Sequence, residues 1–170
     1  MKLNITLMSL LSLLTLGLVA NAEPLAVGAP APQVTAVDQD GKSVNFKDVY
    51  AKGLTLVYFY PKADTPGCTK QACSLRDEWS GLQGKNIQVL GISGDKADSQ
   101  KKFQEKYKLP FTLIADSDSK VAEAFGVPNM MGIAKRQSFL IKDGKVVWNM
   151  LKASTETHAK DVLAAVEGLK

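Results

Sequence analysis

Two cysteines, Cys68 and Cys73, are the residues of this 170-residue chain best suited to redox chemistry, and the chain has no others. Thr65 and Pro66 predict a helix start just before Cys68, because Thr is a good N-cap and Pro loses no needed N–H at the first helical position. Gly67 lets another molecule approach the backbone there. The unpaired N–H groups and positive end of a helix favour the thiolate, the nucleophilic form of cysteine. Redox chemistry at Cys68 is therefore the leading hypothesis.

The first 22 residues have the pattern of a cleavable secretory signal. One lysine, Lys2, precedes an apolar stretch at 7–20, and Ala20-Asn21-Ala22 forms a small-x-small ending. The stretch is shorter than the ~20 residues that span a bilayer, which disfavours a retained anchor. A mature chain of residues 23–170 is therefore expected, exported to the periplasm or the extracellular space.

The mature chain would be one domain of ordinary size. Loss of Lys2 leaves 20 Lys and Arg residues against 17 Asp and Glu residues, a net charge of +3 with the signs interspersed. This balance is not typical of a nucleic-acid-binding protein.

An exported cysteine pair can also be a structural disulfide. A bond between Cys68 and Cys73 would close a very short loop, which restricts the unfolded chain only slightly. A structural disulfide is therefore the less favoured hypothesis for the two cysteines.

The elements around the cysteines alternate between strands and helices. Apolar runs at 54–60 and 87–92 are typical of central strands buried on both faces. Shorter strands are expected at 34–37, 44–46, 111–114, 137–141 and 146–150, the first two and the last two as hairpins. Four helices are expected. They run from Cys68 to the Gly81–Gly84 region, from Asp95 or Asp98 to Tyr107, near 119–125, and from 154 or 155 to 167. The pattern predicts an α/β fold with a mixed central sheet flanked by helices and an N-terminal β-hairpin extension.

The cysteine segment closely resembles that of the peroxiredoxins, and within them the Q type, also called bacterioferritin comigratory proteins. The family's Pro-x-x-x-Thr-x-x-Cys motif stands here as Pro61, Thr65 and Cys68. Residues 58–77 resemble the Q-type sequence almost throughout, and the resemblance spans about 25–168. It implies a thioredoxin-like fold and a thiol peroxidase without a cofactor.

The resemblance assigns roles to these residues. Cys68 would attack the peroxide and become a sulfenic acid. Arg136 would donate hydrogen bonds to the peroxide beside the sulfur, although spacing alone favours a surface arginine next to Lys135. Thr65 would hold the peroxide or act only as an N-cap, and Pro61 would shield the sulfur or only end a strand.

Three further assignments concern the same helix. The backbone N–H of Gly67, with that of Cys68, would bind the peroxide. Gln71 could contact the rim of the pocket, but a solvated helix position is the expectation. Cys73 would resolve the sulfenic acid as an intramolecular disulfide.

Helix geometry makes a prediction about that disulfide. Five residues of helix rise about 7.5 Å, which places the two Cα atoms beyond the ~7 Å limit for a disulfide. The first turns of the Cys68 helix must therefore unwind before the bond forms.

Two other functions remain open from the sequence. A thioredoxin-like disulfide exchanger would normally carry Cys-x-x-Cys, and four residues separate the cysteines here. A copper-binding metallochaperone would use both thiolates and usually a histidine. The sole histidine, His158, is expected on the surface of the last helix.

The peroxidase reading also implies partners. The chain has no dinucleotide or flavin fingerprint, so a separate thioredoxin-like protein would reduce the disulfide. The resemblance suggests a monomer that does not stay on the membrane after signal cleavage, and the small size favours a bacterial periplasm.

Overall fold

A computed structural model describes residues 23–169, so the predicted signal segment 1–22 lies outside the described residues. Within 23–169, no helix has the length and apolar character needed to cross a bilayer. The strands in chain order are β1 Thr35–Asp38, β2 Ser43–Asn45, β3 Thr55–Phe59, β4 Gln88–Ser93, β5 Thr112–Ala115, β6 Asn129–Met130, β7 Ile133–Ala134, β8 Gln137–Lys142 and β9 Lys145–Met150. The helices are α1 Phe46–Tyr50, α2 Pro66–Asp77, α3 Trp79–Gly84, α4 Ala97–Tyr107, α5 Lys120–Ala124 and α6 His158–Gly168.

Seven of the strands form one mixed sheet in the order β2-β1-β5-β4-β3-β8-β9. Strands β3, β4 and β5 are parallel, whereas β8, β9, β1 and β2 join their neighbours antiparallel. The N-terminal hairpin extends the sheet beyond β5. This arrangement confirms the mixed sheet and both hairpins expected from the sequence.

Strand β3 is buried on both faces, as its continuous apolar run predicts. Val57 and Phe59 belong to the core on the face covered by α1 and α5. Tyr58 belongs to the core on the opposite face, which α2, α3, α4 and α6 cover. Because side chains alternate along a strand, Ser138 of β8, which pairs with Tyr58, lies on the α2 and α6 side of the sheet.

The helix that carries both cysteines is shorter than expected. It ends at Asp77, and α3 begins at Trp79 after Glu78 leaves the helical conformation, with φ −95° and ψ 15°. Trp79 then packs on Phe111 with ring centroids 5.8 Å apart. The prediction of one helix up to the Gly81–Gly84 region was wrong, since tertiary packing outweighed local helical periodicity.

Candidate active site

Cys68 lies in the first turn of α2, where the chain leaves β3 at the end of the parallel strands. Thr65 occupies the N-cap position and Pro66 opens the helix, as the sequence predicts. The first helical hydrogen bond runs from Thr69 N–H to the Thr65 carbonyl. The N–H groups of Gly67 and Cys68 precede it and have no helical acceptor. An anion at this end of α2 would therefore meet two unused donors and the positive end of the helix dipole.

The sulfur of Cys68 is buried, with 2% of the residue exposed, and faces an arginine. Nη2 of Arg136 lies 3.4 Å from Cys68 Sγ and donates to it. A Cβ added at Gly67 would lie 3.4 Å from the same Nη2, in van der Waals contact with the guanidinium. The fold thus brings Arg136, 68 residues away along the chain, to the sulfur of Cys68.

The hydroxyl group of Thr65 donates a hydrogen bond within the loop that precedes α2. Its Oγ1 donates to the Lys62 carbonyl at 2.9 Å, and it makes no side-chain cap bond to the helix. The hydroxyl oxygen keeps its lone pairs and can accept a hydrogen bond from another molecule. Thr65 therefore occupies the N-cap position without capping the helix through its side chain. Its hydroxyl oxygen is available to accept a hydrogen bond from a bound molecule.

Pro61 lies two residues after the end of β3 and lines a small cavity of about 250 Å³. Lys62, Asp95, Met131 and Ile133 also line this cavity. Met131 is 95% exposed at the tip of the β6–β7 hairpin.

Cys73 lies on the same continuous helix as Cys68, and neither cysteine is in a disulfide. Cys68 is buried whereas Cys73 is half-buried. Because α2 is unbroken from Pro66 to Asp77, the two cysteines are too far apart for a disulfide, and this part of the helix must unwind before the bond can form.

Gln71 is fully buried rather than solvated, so the sequence prediction for this residue was wrong. Its Oε1 accepts a hydrogen bond from Arg136 Nη1, while Nη2 of the same guanidinium faces the sulfur. Gln71 therefore fixes the Nη1 side of the Arg136 guanidinium by a hydrogen bond. The helical spacing contained a signal, because Cys68, Gln71, Ala72 and Leu75 form one i, i+3, i+4, i+7 stripe and all four are buried.

His158 is also fully buried, which corrects the prediction of a surface histidine. Its Nδ1 lies 3.2 Å from Gln71 Nε2, and its Nε2 lies 2.8 Å from Ser138 Oγ. Burial, and secondarily the positive charge of Arg136, lowers the pKa of His158 to about 4. The imidazole is therefore neutral near pH 7.

This depressed pKa predicts a loss of stability in acid. The unfolded chain, with a histidine pKa near 6.5, takes up the proton first as the pH falls, so folding weakens between about pH 6.5 and pH 4. His158→Asn has no titrating group at this position, so comparing it with the parent cancels the contributions of other groups. We expect the parent, relative to the variant, to lose about 2.5 kcal/mol of its free energy of unfolding between pH 7 and pH 4.5, as measured by urea titrations. The same difference at both pH values would contradict this account.

A buried cysteine at a helix N-terminus, facing an arginine on a mixed sheet flanked by helices, defines a thiol-based redox protein of the thioredoxin-like class. A model of the AhpC/TSA family matches residues 27–149. The chain belongs to this family, as a peroxiredoxin of the Q type, the group also called bacterioferritin comigratory proteins.

Its relatives match more than four-fifths of the chain. It is 45% identical over 148 residues to peroxiredoxin Bcp of Escherichia coli strain K12, a match that covers 82% of this chain and 94% of that protein. It is 43% identical over 147 residues to the chloroplastic peroxiredoxin Q of Suaeda salsa, covering 84% of this chain and 68% of that one. The crystal structure of peroxidoxin BcpB from Mycobacterium tuberculosis superimposes with a TM-score of 0.81 at 31% identity, covering 86% of this chain and 99% of that one. These matches confirm the thioredoxin-like fold and do not favour the exchanger or the copper carrier.

Proposed function

We propose that this protein is a thiol-dependent peroxidase that reduces hydrogen peroxide and organic hydroperoxides. The observation that carries the proposal is the contact between Arg136 Nη2 and Cys68 Sγ, 3.4 Å apart, at the N-terminus of α2. Further support comes from the bacterioferritin comigratory protein of Xanthomonas campestris, at 28% identity and a TM-score of 0.74, whose trapped intermediate and ligand complex structures concern its alkyl peroxide reduction activity.

The reaction begins with the Cys68 thiolate. The sulfur attacks one peroxide oxygen, the O–O bond breaks, and the other oxygen leaves as hydroxide or alkoxide and takes up a proton to become water or an alcohol. Cys68 is left as a sulfenic acid. Because negative charge develops on the leaving oxygen, fixed donors around the O–O bond lower the barrier.

We assign those donors to three groups. The Arg136 guanidinium faces the sulfur and can donate to both sulfur and peroxide. The N–H groups of Gly67 and Cys68 lie at the helix start. The Thr65 oxygen, whose own proton is bound by the Lys62 carbonyl, can accept the O–H of the hydroperoxide. In this scheme Pro61 limits the access of water to the sulfur.

Cys73 completes the catalytic cycle in this proposal. Its thiol attacks the sulfenic sulfur of Cys68, a disulfide forms, and the sulfenic oxygen leaves as water. A thioredoxin-like dithiol protein then reduces the disulfide by thiol exchange. The net reaction converts one peroxide and one dithiol into an alcohol or water, a second water and a disulfide.

We further propose that the protein is exported and acts in the periplasm, with extracellular action as the alternative. The support is the sequence pattern of residues 1–22, followed by residues 23–170 as a single domain. The reductant would then be an exported dithiol protein, and the enzyme would act as a monomer.

The function is tested by mixing the reduced protein of residues 23–170 with hydrogen peroxide. We expect one peroxide consumed per chain without reductant, and continued consumption when a thioredoxin is supplied. Failure to consume peroxide in either condition would refute the peroxidase.

Disulfide formation should also change the helix content. A disulfide between Cys68 and Cys73 requires the segment between them to unwind. We therefore expect the magnitude of the circular dichroism signal at 222 nm to decrease on oxidation, by the amount that corresponds to the loss of about two helical turns. Cys73→Ser, treated with the same peroxide, is the control and should keep its helix. Identical spectra for the dithiol and the disulfide would contradict the unwinding.

A further inference from the structure

His158 is a buried polar residue that the mechanism above does not use. It opens α6 and is fully buried. Both ring nitrogens have polar neighbours, Gln71 Nε2 at 3.2 Å and Ser138 Oγ at 2.8 Å. The ring packs on Tyr58 with centroids 5.5 Å apart. The imidazole thus has a fixed position between α2 and β8.

The hydrogen bonds define which imidazole nitrogen carries the proton. Gln71 Oε1 is the acceptor for Arg136 Nη1, so the other end of the carboxamide is an NH₂ group that can only donate. His158 Nδ1 must therefore accept. The proton then lies on His158 Nε2, which donates to Ser138 Oγ. Burial favours this neutral form.

The opposite orientation of the carboxamide is unfavourable with the neutral Nε2–H tautomer. A flipped Gln71 would turn its NH₂ group toward the guanidinium, leaving donor against donor and no acceptor for Arg136 Nη1. Its oxygen would then face the lone pair of His158 Nδ1. Both contacts would be lost, and the polar groups of Gln71 and His158 would be left unpaired at fully buried positions, which is costly.

We propose that His158 is a positioning residue for peroxide reduction: its neutral Nε2–H tautomer holds the Gln71 carbonyl toward Arg136 and so fixes the guanidinium beside Cys68. The inference rests on the proposed function and extends it to a residue 90 positions beyond the nucleophile. His158 itself does not contact the sulfur in this scheme. It acts through Gln71 and Arg136.

The kinetic test compares two variants of His158 with the parent by the rate constant for oxidation of Cys68 by hydrogen peroxide. His158→Leu removes the acceptor, and we expect the rate constant to fall about tenfold, the effect of one buried orienting hydrogen bond. His158→Asn is the conservative variant, because its Oδ1 can take the position of Nδ1. It should restore the rate constant to within about threefold of the parent.

A second background separates positioning from a structural role. Gln71→Glu places an acceptor oxygen at both ends of the side chain, so its orientation no longer depends on His158. In this background we expect the effect of His158→Leu to shrink to less than about twofold. An equal loss in both backgrounds, or no loss in either, would overturn the proposal. Thermal unfolding of each variant verifies that the rates belong to folded protein.

A spectroscopic measurement on the unmodified chain tests the tautomer directly. Long-range ¹H–¹⁵N correlation spectra of the reduced protein at pH 7 should show a protonated Nε2 and an unprotonated Nδ1 for His158. A protonated Nδ1 would overturn the proposal, whatever the stability of the variants. Since this measurement needs no peroxide, failure of the peroxidase itself would be recognised separately, by an unreactive parent.

Discussion

Cys68→Ser is expected to abolish peroxide reduction, with a residual rate below about one ten-thousandth of the parent. A serine hydroxyl is not ionised near neutral pH and cannot be oxidised to a sulfenic acid, so both the nucleophile and the intermediate are lost. The substitution exchanges sulfur for oxygen at a buried position without adding volume, and the fold should persist. Peroxide consumption under excess thioredoxin measures the effect.

The matched control is the other cysteine. Cys73→Ser keeps the buried thiol beside Arg136, so it should consume one peroxide per chain and then stop. Cys68→Ser should consume none. If the two variants lost the first turnover equally, the division of roles between Cys68 and Cys73 would be wrong.

Arg136→Ala is expected to slow oxidation of Cys68 by about 10²- to 10³-fold, the effect of removing one fixed donor from a developing oxyanion. The guanidinium donates to Gln71 through Nη1 and to Cys68 through Nη2, so alanine removes the positive charge and both hydrogen bonds. Arg136→Lys keeps the charge but cannot make both contacts at once. We expect it to remain at least about tenfold slower than the parent. Stopped-flow measurements of Cys68 oxidation over a range of peroxide concentrations test both variants.

Lys135→Ala is the matched control for charge. Lys135 is the exposed neighbour of Arg136, so the variant removes one positive charge from the same segment without touching the sulfur. It should react within about twofold of the parent, since exposed charges contribute little in a high dielectric. An equal slowing by Lys135→Ala and Arg136→Ala would mean that net charge, rather than the contact with Cys68, governs the rate.

The local part of the site could be predicted from the sequence. Thr65, Pro66 and Cys68 are close in the sequence, and the residue types of Thr65 and Pro66 define a helix start by local preferences. The continuous apolar run before them likewise identified a central strand. Both features show in the types of neighbouring residues, and the structure has them where the sequence placed them.

The buried polar residues could not be predicted in the same way, because their partners are remote. Gln71 and His158 are 87 residues apart, and Ser138 reaches the imidazole from β8. Residue type alone assigned both Gln71 and His158 to the surface, as is usual for polar side chains. The helical spacing favoured burial, since His158 stands four residues before the buried Val162. Periodicity was the better guide here.

The helix break at Glu78 has a different cause. The local pattern favoured one helix through Trp79, whereas the structure interrupts the helix at Glu78. The break allows Trp79 to reach Phe111, a residue that only the folded sheet brings close. Such a contact is a tertiary effect that a single sequence does not reveal.

Intact-mass analysis tests the central claim most directly. The fully reduced protein of residues 23–170 and its Cys73→Ser variant each receive one equivalent of hydrogen peroxide, followed by a rapid thiol-alkylation quench. We predict an intramolecular disulfide with no alkylated thiols in the parent, and one added oxygen on Cys68 in the variant. Two alkylated thiols in the parent and one in the variant after several minutes, with no added oxygen, would contradict the peroxidase mechanism.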